Sequence, residues 1–132
     1  KILDQRVLGL ERDNLTIINR FLSEAELDKL FDEHDFLLLP YRDDYTGGAG
    51  PLKESFAYGM PVICSGIGIF KEVISDSNTG FVYESPTDIE VFLRDIDNAK
   101  YEELSMNCLR YAQNNSWSAM RENYFGLYEN LQ

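Results

Sequence analysis

Gly47-Gly48-Ala49-Gly50, running into Pro51 and then Glu54, is the segment best suited to chemistry. Glycines let a backbone come close to a ligand, and a helix N-terminus offers unpaired N–H groups with partial positive charge. Pro51 suits the first turn of a helix, where its missing N–H costs nothing. Together they make a diphosphate cradle that needs no side-chain charge. They equally make a flexible joint between a loop and a helix, and the segment alone leaves both readings open. Two familiar glycine motifs do not fit. The dinucleotide pattern G-x-G-x-x-G would need glycine at Lys53, and a P-loop would not place Lys53 between Leu52 and Glu54. Glu54, one turn into the helix, is placed either to meet a ribose diol beyond the phosphates or simply to complement the helix start.

The elements around this loop alternate between strand and helix. Leu15–Ile18 reads as a buried β-branched strand, and Ser23 with Glu26 reads as a capping box opening a helix with Leu27, Leu30 and Phe31 on one face. A second strand covers Phe36–Leu39 and ends at Pro40. The helix after the glycine loop runs to about Tyr58 and stops at Gly59. Pro61–Cys64 is a third strand, a short helix follows through Lys71 to Ile74, and Asn78-Thr79-Gly80 turns into a fourth strand, Phe81–Tyr83. Thr87 and Glu90 form another capping box for a helix carrying Ile89, Phe92, Leu93 and Ile96. Helical stretches from Tyr101 and from Ser116 close the chain, and residues 2–9 are loosely helical. The strands are continuous apolar runs, so the expected fold is α/β: a parallel sheet of about four or more strands covered by helices on both faces. In such sheets ligands sit beyond the carboxyl ends of strands, where the glycine loop lies.

The 132 residues suffice for one domain with its own core. A net charge of −11 repels polyphosphate backbones, which argues against nucleic acid as a partner. It also requires any diphosphate site to be built from local N–H groups. Cys64 and Cys108 read as reduced, packed thiols without metal-ligand spacing, fitting a cytoplasmic protein. The first residues contain neither Met nor an apolar leader, so the chain is expected to be part of a longer protein.

Asp43-Asp44 lacks the spacing of a metal-binding acid pair and reads as a solvated loop with Arg42 as partner. His34 suits a helix C-terminus. Nothing places Glu54 and Glu72 across a common substrate as a glycosidase pair would require. Met120, Tyr124, Tyr128 and Leu131 form a helical stripe that reads as core. If part of it is left uncovered, self-association follows, as it would from an unpaired sheet edge.

Residues 46–82 resemble the donor-binding signature of group 1 retaining glycosyltransferases, the family-4-like enzymes of GT-B fold. The resemblance rests on the glycine loop, Glu54, Ala57-Tyr58-Gly59-Met60-Pro61-Val62-Ile63, the Gly68 to Glu72-Val73-Ile74 element, and Gly80. Leu39-Pro40-Tyr41, Ser116-Trp117 and Tyr128-Glu129 extend it over nearly the whole chain. The resemblance implies the C-terminal, Rossmann-like half of such an enzyme, with the acceptor domain lying outside this chain. Gly48, Ala49, Gly50 and Leu52 would hold the donor diphosphate, Glu54 the ribose, and Asn19, Arg20 and Phe21 the nucleobase. Thr46 and Gly47 would lie near the donor sugar. The family often carries a second Glu where Thr46 stands, a departure that puts the sugar contact in doubt. The Arg and Lys that neutralise the leaving diphosphate would lie upstream of Lys1, so no catalytic residue is assigned and the isolated chain is expected to be inactive. The implied activity is metal-independent transfer of a hexose from a nucleoside diphosphate sugar to a sugar or lipid-linked acceptor in bacterial polysaccharide or glycan synthesis. The full-length enzyme would be cytoplasmic or peripheral at the cytoplasmic membrane. A non-catalytic binding or interaction module that kept the fold is the alternative, and Thr46 is the feature that favours it.

Overall fold

The computed structural model describes residues 13–42, 44–48, 50–121 and 125. The chain divides into two compact units, Lys1–Leu30 and Phe31–Gln132. In the first, Leu15 makes an isolated β-bridge and residues 16–18 form no strand. This corrects the expectation of a buried strand: Leu15 and Ile18 are both exposed, and a single bridge does not extend into a ladder that could cover the run. Helix α1 (Glu24–Glu33) starts as expected. The Ser23 amide donates to Glu26 Oε2 at 2.9 Å, and the Glu26 amide donates to Ser23 Oγ at 3.4 Å. Each side chain thus meets a backbone N–H that the helix leaves unpaired.

The second unit carries β1 (Leu37–Leu39), α2 (Gly50–Ala57), β2 (Val62–Ser65), α3 (Gly68–Ser77), β3 (Gly80–Tyr83), α4 (Pro86–Asp95) and α5 (Asn98–Asn114). Residues 117–121 are again helical. The strands form a parallel sheet in the order β1-β2-β3. Among the described residues the sheet has three strands, not the expected four or more, since residues 16–18 form no strand. The central strand β2 is buried on both faces, as a continuous apolar run in a parallel sheet should be. Edge strand β1 leaves Leu38 exposed, so full cover on both faces does not extend to it.

Leu39, Leu52, Phe56, Val62, Cys64, Phe70, Ile74 and Cys108 form one buried cluster. Phe56, with its ring edge-on to Tyr111 at 5.2 Å, contributes roughly 1.5–3 kcal/mol by leaving water. Burial pushes the Cys64 thiol up to about 11 and the Cys108 thiol up to about 12. Both therefore stay as packed, uncharged thiols.

Helix α2 ends in a Schellman arrangement. Gly59 adopts φ +68°, its amide reaches the Phe56 carbonyl at 3.1 Å, and the Met60 amide reaches that of Ser55 at 2.8 Å. Helix α3 runs on to Ser77, beyond the Ile74 end expected from sequence. It closes on Asn78 in the left-handed region, whose side-chain amide bonds Glu103 at 2.7 Å. The α4 cap differs from expectation: Ser85 and Asp88, not Thr87 and Glu90, form the capping box. Pro86 fixes the first helical position and thereby selects the earlier register. Helix α5 begins at Asn98 rather than Tyr101, capped by Asp97, which accepts from the Lys100 amide at 2.8 Å. Of the C-terminal stripe, Met120 is exposed, while Tyr124, Tyr128 and Leu131 lie outside the described residues, as do residues 2–9.

Candidate functional site

Strands β1 and β2 are neighbours in register, Leu39 opposite Cys64, so the connections that follow them leave the same edge of the sheet side by side. The Ser65 hydroxyl donates to the Tyr41 carbonyl at 2.7 Å and joins the two connections at their roots. Each leads into a helix that begins with glycine, Gly50 for α2 and Gly68 for α3. Between them lies a cavity of about 370 Å³ lined by Tyr45, Thr46, Gly47, Gly48, Ile67, Gly68 and Phe70. That volume suits a small-molecule site.

Among the described residues no carboxylate lines this cavity, although the chain as a whole is strongly acidic. The helix starts agree with that. Neither α2 nor α3 has an acid in its first turn, and the N-cap of α3 is Ile67, which has no capping side chain. The Phe70 amide turns back onto the Ile67 carbonyl at 3.1 Å, and no side chain caps the Gly68 amide ahead of it, with the helix dipole behind it. Gly68 opens α3 at φ +40°, a conformation that favours glycine.

Three rings shape the other wall. Tyr41 stacks on Tyr45 at 4.2 Å and on Phe70 at 5.0 Å, and Phe70 is fully buried. Burial first, and then the neighbouring Tyr45 phenol, raise the Tyr41 phenol above its ordinary value. The Tyr45 hydroxyl donates to the Gly48 carbonyl at 2.9 Å, and its amide closes a turn onto the Arg42 carbonyl at 2.9 Å. Arg42 itself pairs with Asp44 at 3.4 Å, as expected for a solvated loop.

Of the residues expected to bind a donor, the cavity gathers Thr46, Gly47 and Gly48. Gly50 begins α2 beside it, and Ala49 lies outside the described residues. Leu52 has its side chain in the core and its carbonyl bonded by Ser55 at 2.9 Å, so only its amide remains for a ligand. Glu54 is exposed, one turn beyond Gly50, and does not line the cavity. Asn19, Arg20 and Phe21 belong to the first unit. There Arg20 is gripped by Glu26 at 2.5 and 3.0 Å and also donates to the Phe21 carbonyl at 3.1 Å. Chiefly through that Arg20 bond, and then through the Ser23 amide and hydroxyl, the Glu26 carboxyl is lowered to about 2. The segment therefore presents the fully exposed Phe21 ring and the Asn19 amide rather than an unpaired cation.

Tyr45, Ile67 and Phe70 were not singled out by sequence reasoning. The signal existed in Ser65-Gly66-Ile67-Gly68, which follows a strand just as the first glycine loop does.

A larger cavity, about 500 Å³, lies between Phe81, Val91, Phe92 and Ile96 with Asp88, Asp95, Asp97 and Lys100 around it. Its polar groups are already engaged. Asp88 takes the Ser85 amide at 2.8 Å, Asp95 pairs with Arg94 at 2.7 Å, and Lys100 pairs with Glu103 at 3.0 Å. Size alone does not make it the better site for an anion, since three aspartates surround it.

A comparison with curated proteins gives no match. Residues 3–115, most of the chain, match the family model described as "Glycosyl transferases group 1". Together with a parallel sheet flanked by helices and glycine-started helices at its carboxyl edge, this match fixes the family. The chain belongs to the group 1 glycosyl transferases.

Proposed function

We propose that the chain is the donor-binding domain of a retaining enzyme that moves a hexose from a nucleoside diphosphate sugar to a sugar or lipid-linked acceptor. The observation that carries this reading is the cavity between the uncapped start of α3 and the glycine loop, which no carboxylate lines among the described residues. In a chain of net charge −11 such a cavity is a local exception in which backbone N–H groups can meet a diphosphate. Gly48, Ala49, Gly50 and the Leu52 amide hold the phosphates, and Glu54 takes the ribose hydroxyls. Thr46 and Gly47 lie beside the sugar. Acceptor domain and diphosphate-neutralising cations would come from a longer polypeptide, a cytoplasmic enzyme of bacterial glycan synthesis that needs no metal.

The test is a titration of backbone amide shifts with UDP, GDP, ADP and their sugars. Saturable shifts at Gly47, Gly48 and Gly50 with one nucleotide are expected and would name the base. A folded chain that responds to none of them would favour the second reading, a non-catalytic module, for which Thr46 in place of an acidic sugar contact speaks.

A further inference from the structure

We propose that Tyr45 is a positioning residue for the donor, holding the glycine loop in its binding shape before any ligand arrives. The inference rests on the donor-site reading above and adds a residue that neither motif nor family match assigns. Three independent contacts converge on this side chain. Its ring belongs to the stack with Tyr41 and Phe70, and Phe70 is buried in the first turn of α3. Its hydroxyl donates to the Gly48 carbonyl at 2.9 Å. It also fills the space beside Gly47, where an added Cβ would lie 2.7 Å from the hydroxyl oxygen and 2.9 Å from Cζ.

A run of glycines is costly to order, because glycine loses the most backbone freedom when fixed. Left alone, the loop would charge that cost to every binding event. Anchored through Tyr45 to a buried ring of α3, part of it is met in folding, and both walls of the cavity are set by the same side chain. Glycine at position 47 leaves the anchor in place, because an added Cβ would push the tip of the Tyr45 ring aside. Gly48 has nothing within 4 Å of its own missing Cβ and offers only its carbonyl to the anchor.

The whole 132-residue chain is titrated with UDP, GDP and ADP, and melting is followed in parallel. Tyr45→Phe keeps the stack and loses only the hydroxyl bond. It is expected to raise the Kd of the bound nucleotide about fivefold, the effect of one neutral hydrogen bond, while the melting midpoint moves by no more than about 2 °C. Gly47→Ala should weaken binding about tenfold beside Tyr45, yet less than about twofold in a Tyr45→Ala background, where the obstructing ring is gone. Equal affinities for wild type and Tyr45→Phe, or a Gly47→Ala effect that ignores Tyr45, would overturn the role of Tyr45 alone. A folded wild type that binds none of the three nucleotides would overturn the donor-site reading, and this role with it.

Discussion

Six of the described glycines fall into two sets that look alike in sequence and differ in what surrounds them. Gly47, Gly59 and Gly80 are enclosed: a Cβ would meet the Tyr45 hydroxyl at 2.7 Å, the Ser105 hydroxyl at 3.0 Å and the Val62 carbonyl oxygen at 1.8 Å. Gly48, Gly50 and Gly68 are open, with nothing among the described residues within 4 Å of the missing Cβ. An enclosed glycine is explained by the protein itself. Gly48 and Gly50 have neither a neighbour nor a left-handed φ to require them. On the donor-site proposal, what needs a bare backbone at those positions is a ligand, and both stand at or beside the cavity. The contrast would then separate glycines that serve the fold from glycines that serve a ligand.

The largest effect should come from the most enclosed position. Gly80→Ala places a methyl inside the β2–β3 pairing, against the Val62 backbone, where no side chain can give way. A loss of about 4 kcal/mol or more is expected, in the range that single substitutions reach only by breaking packing. Urea denaturation followed by circular dichroism would measure it, and a loss below about 1 kcal/mol would mean that the pairing is looser than described. Gly59→Ala should be milder. Its φ of +68° costs a side chain about 1–2 kcal/mol, and the contacts at 3.0 and 3.2 Å are to Ser105 and Leu109 side chains, which can shift. The same denaturation curve would show it, with an unchanged midpoint as the contrary result.

The open set should behave in the opposite way. Gly48→Ala is expected to leave stability within about 0.5 kcal/mol, as surface substitutions usually do, and to weaken nucleotide binding about tenfold. Paired melting and calorimetric titration separate the two quantities. A fall in stability with affinity preserved would return Gly48 to the enclosed set and remove the basis of the comparison.

How much of this was legible in the sequence depended on whether the determining physics was local. The start of α2 at Gly50-Pro51, its stop at Gly59 and the Ser23–Glu26 box each depend on a few adjacent residues, and all were readable. The α4 cap shows the limit. Ser85 with Asp88 and Thr87 with Glu90 are equivalent patterns two residues apart, and only Pro86 at the first helical position decides between them. Leu15–Ile18 failed for a non-local reason, since a β-branched run becomes a strand only where a ladder partner exists. The site shows the same division. The glycine loop and Glu54 could be picked out from residue types and spacing. The rings that shape the cavity could not, because Tyr41, Tyr45 and Phe70 meet only through the pairing of β1 with β2.

The smallest effect tests the helix starts, where the same contrast recurs between a carboxylate-closed α1 and an α3 with no acid in its first turn. Glu26 titrates at about 2 rather than 4.5 in the folded chain, mainly because Arg20 donates to it and then because Ser23 does. A depressed carboxyl stabilises the fold above its unfolded value and loses that contribution as the pH falls. The α1 start should therefore loosen between pH 4.5 and about 2, and be intact above that window. The Ser23 amide shift, which reports the bond to Glu26 Oε2, is expected to titrate with a midpoint near 2. In Ser23→Ala the midpoint should rise only part of the way to 4.5, because the larger contribution, from Arg20, remains. The first-turn amides of α3 serve as the internal control and should not follow this transition, since no acid lies among them. A Ser23 midpoint at 4.5 in the wild type would mean that the Arg20–Glu26 pair is not formed in solution. Arg20 would then be an unpaired cation beside Phe21, and this segment would carry a charge available to a ligand rather than one already neutralised.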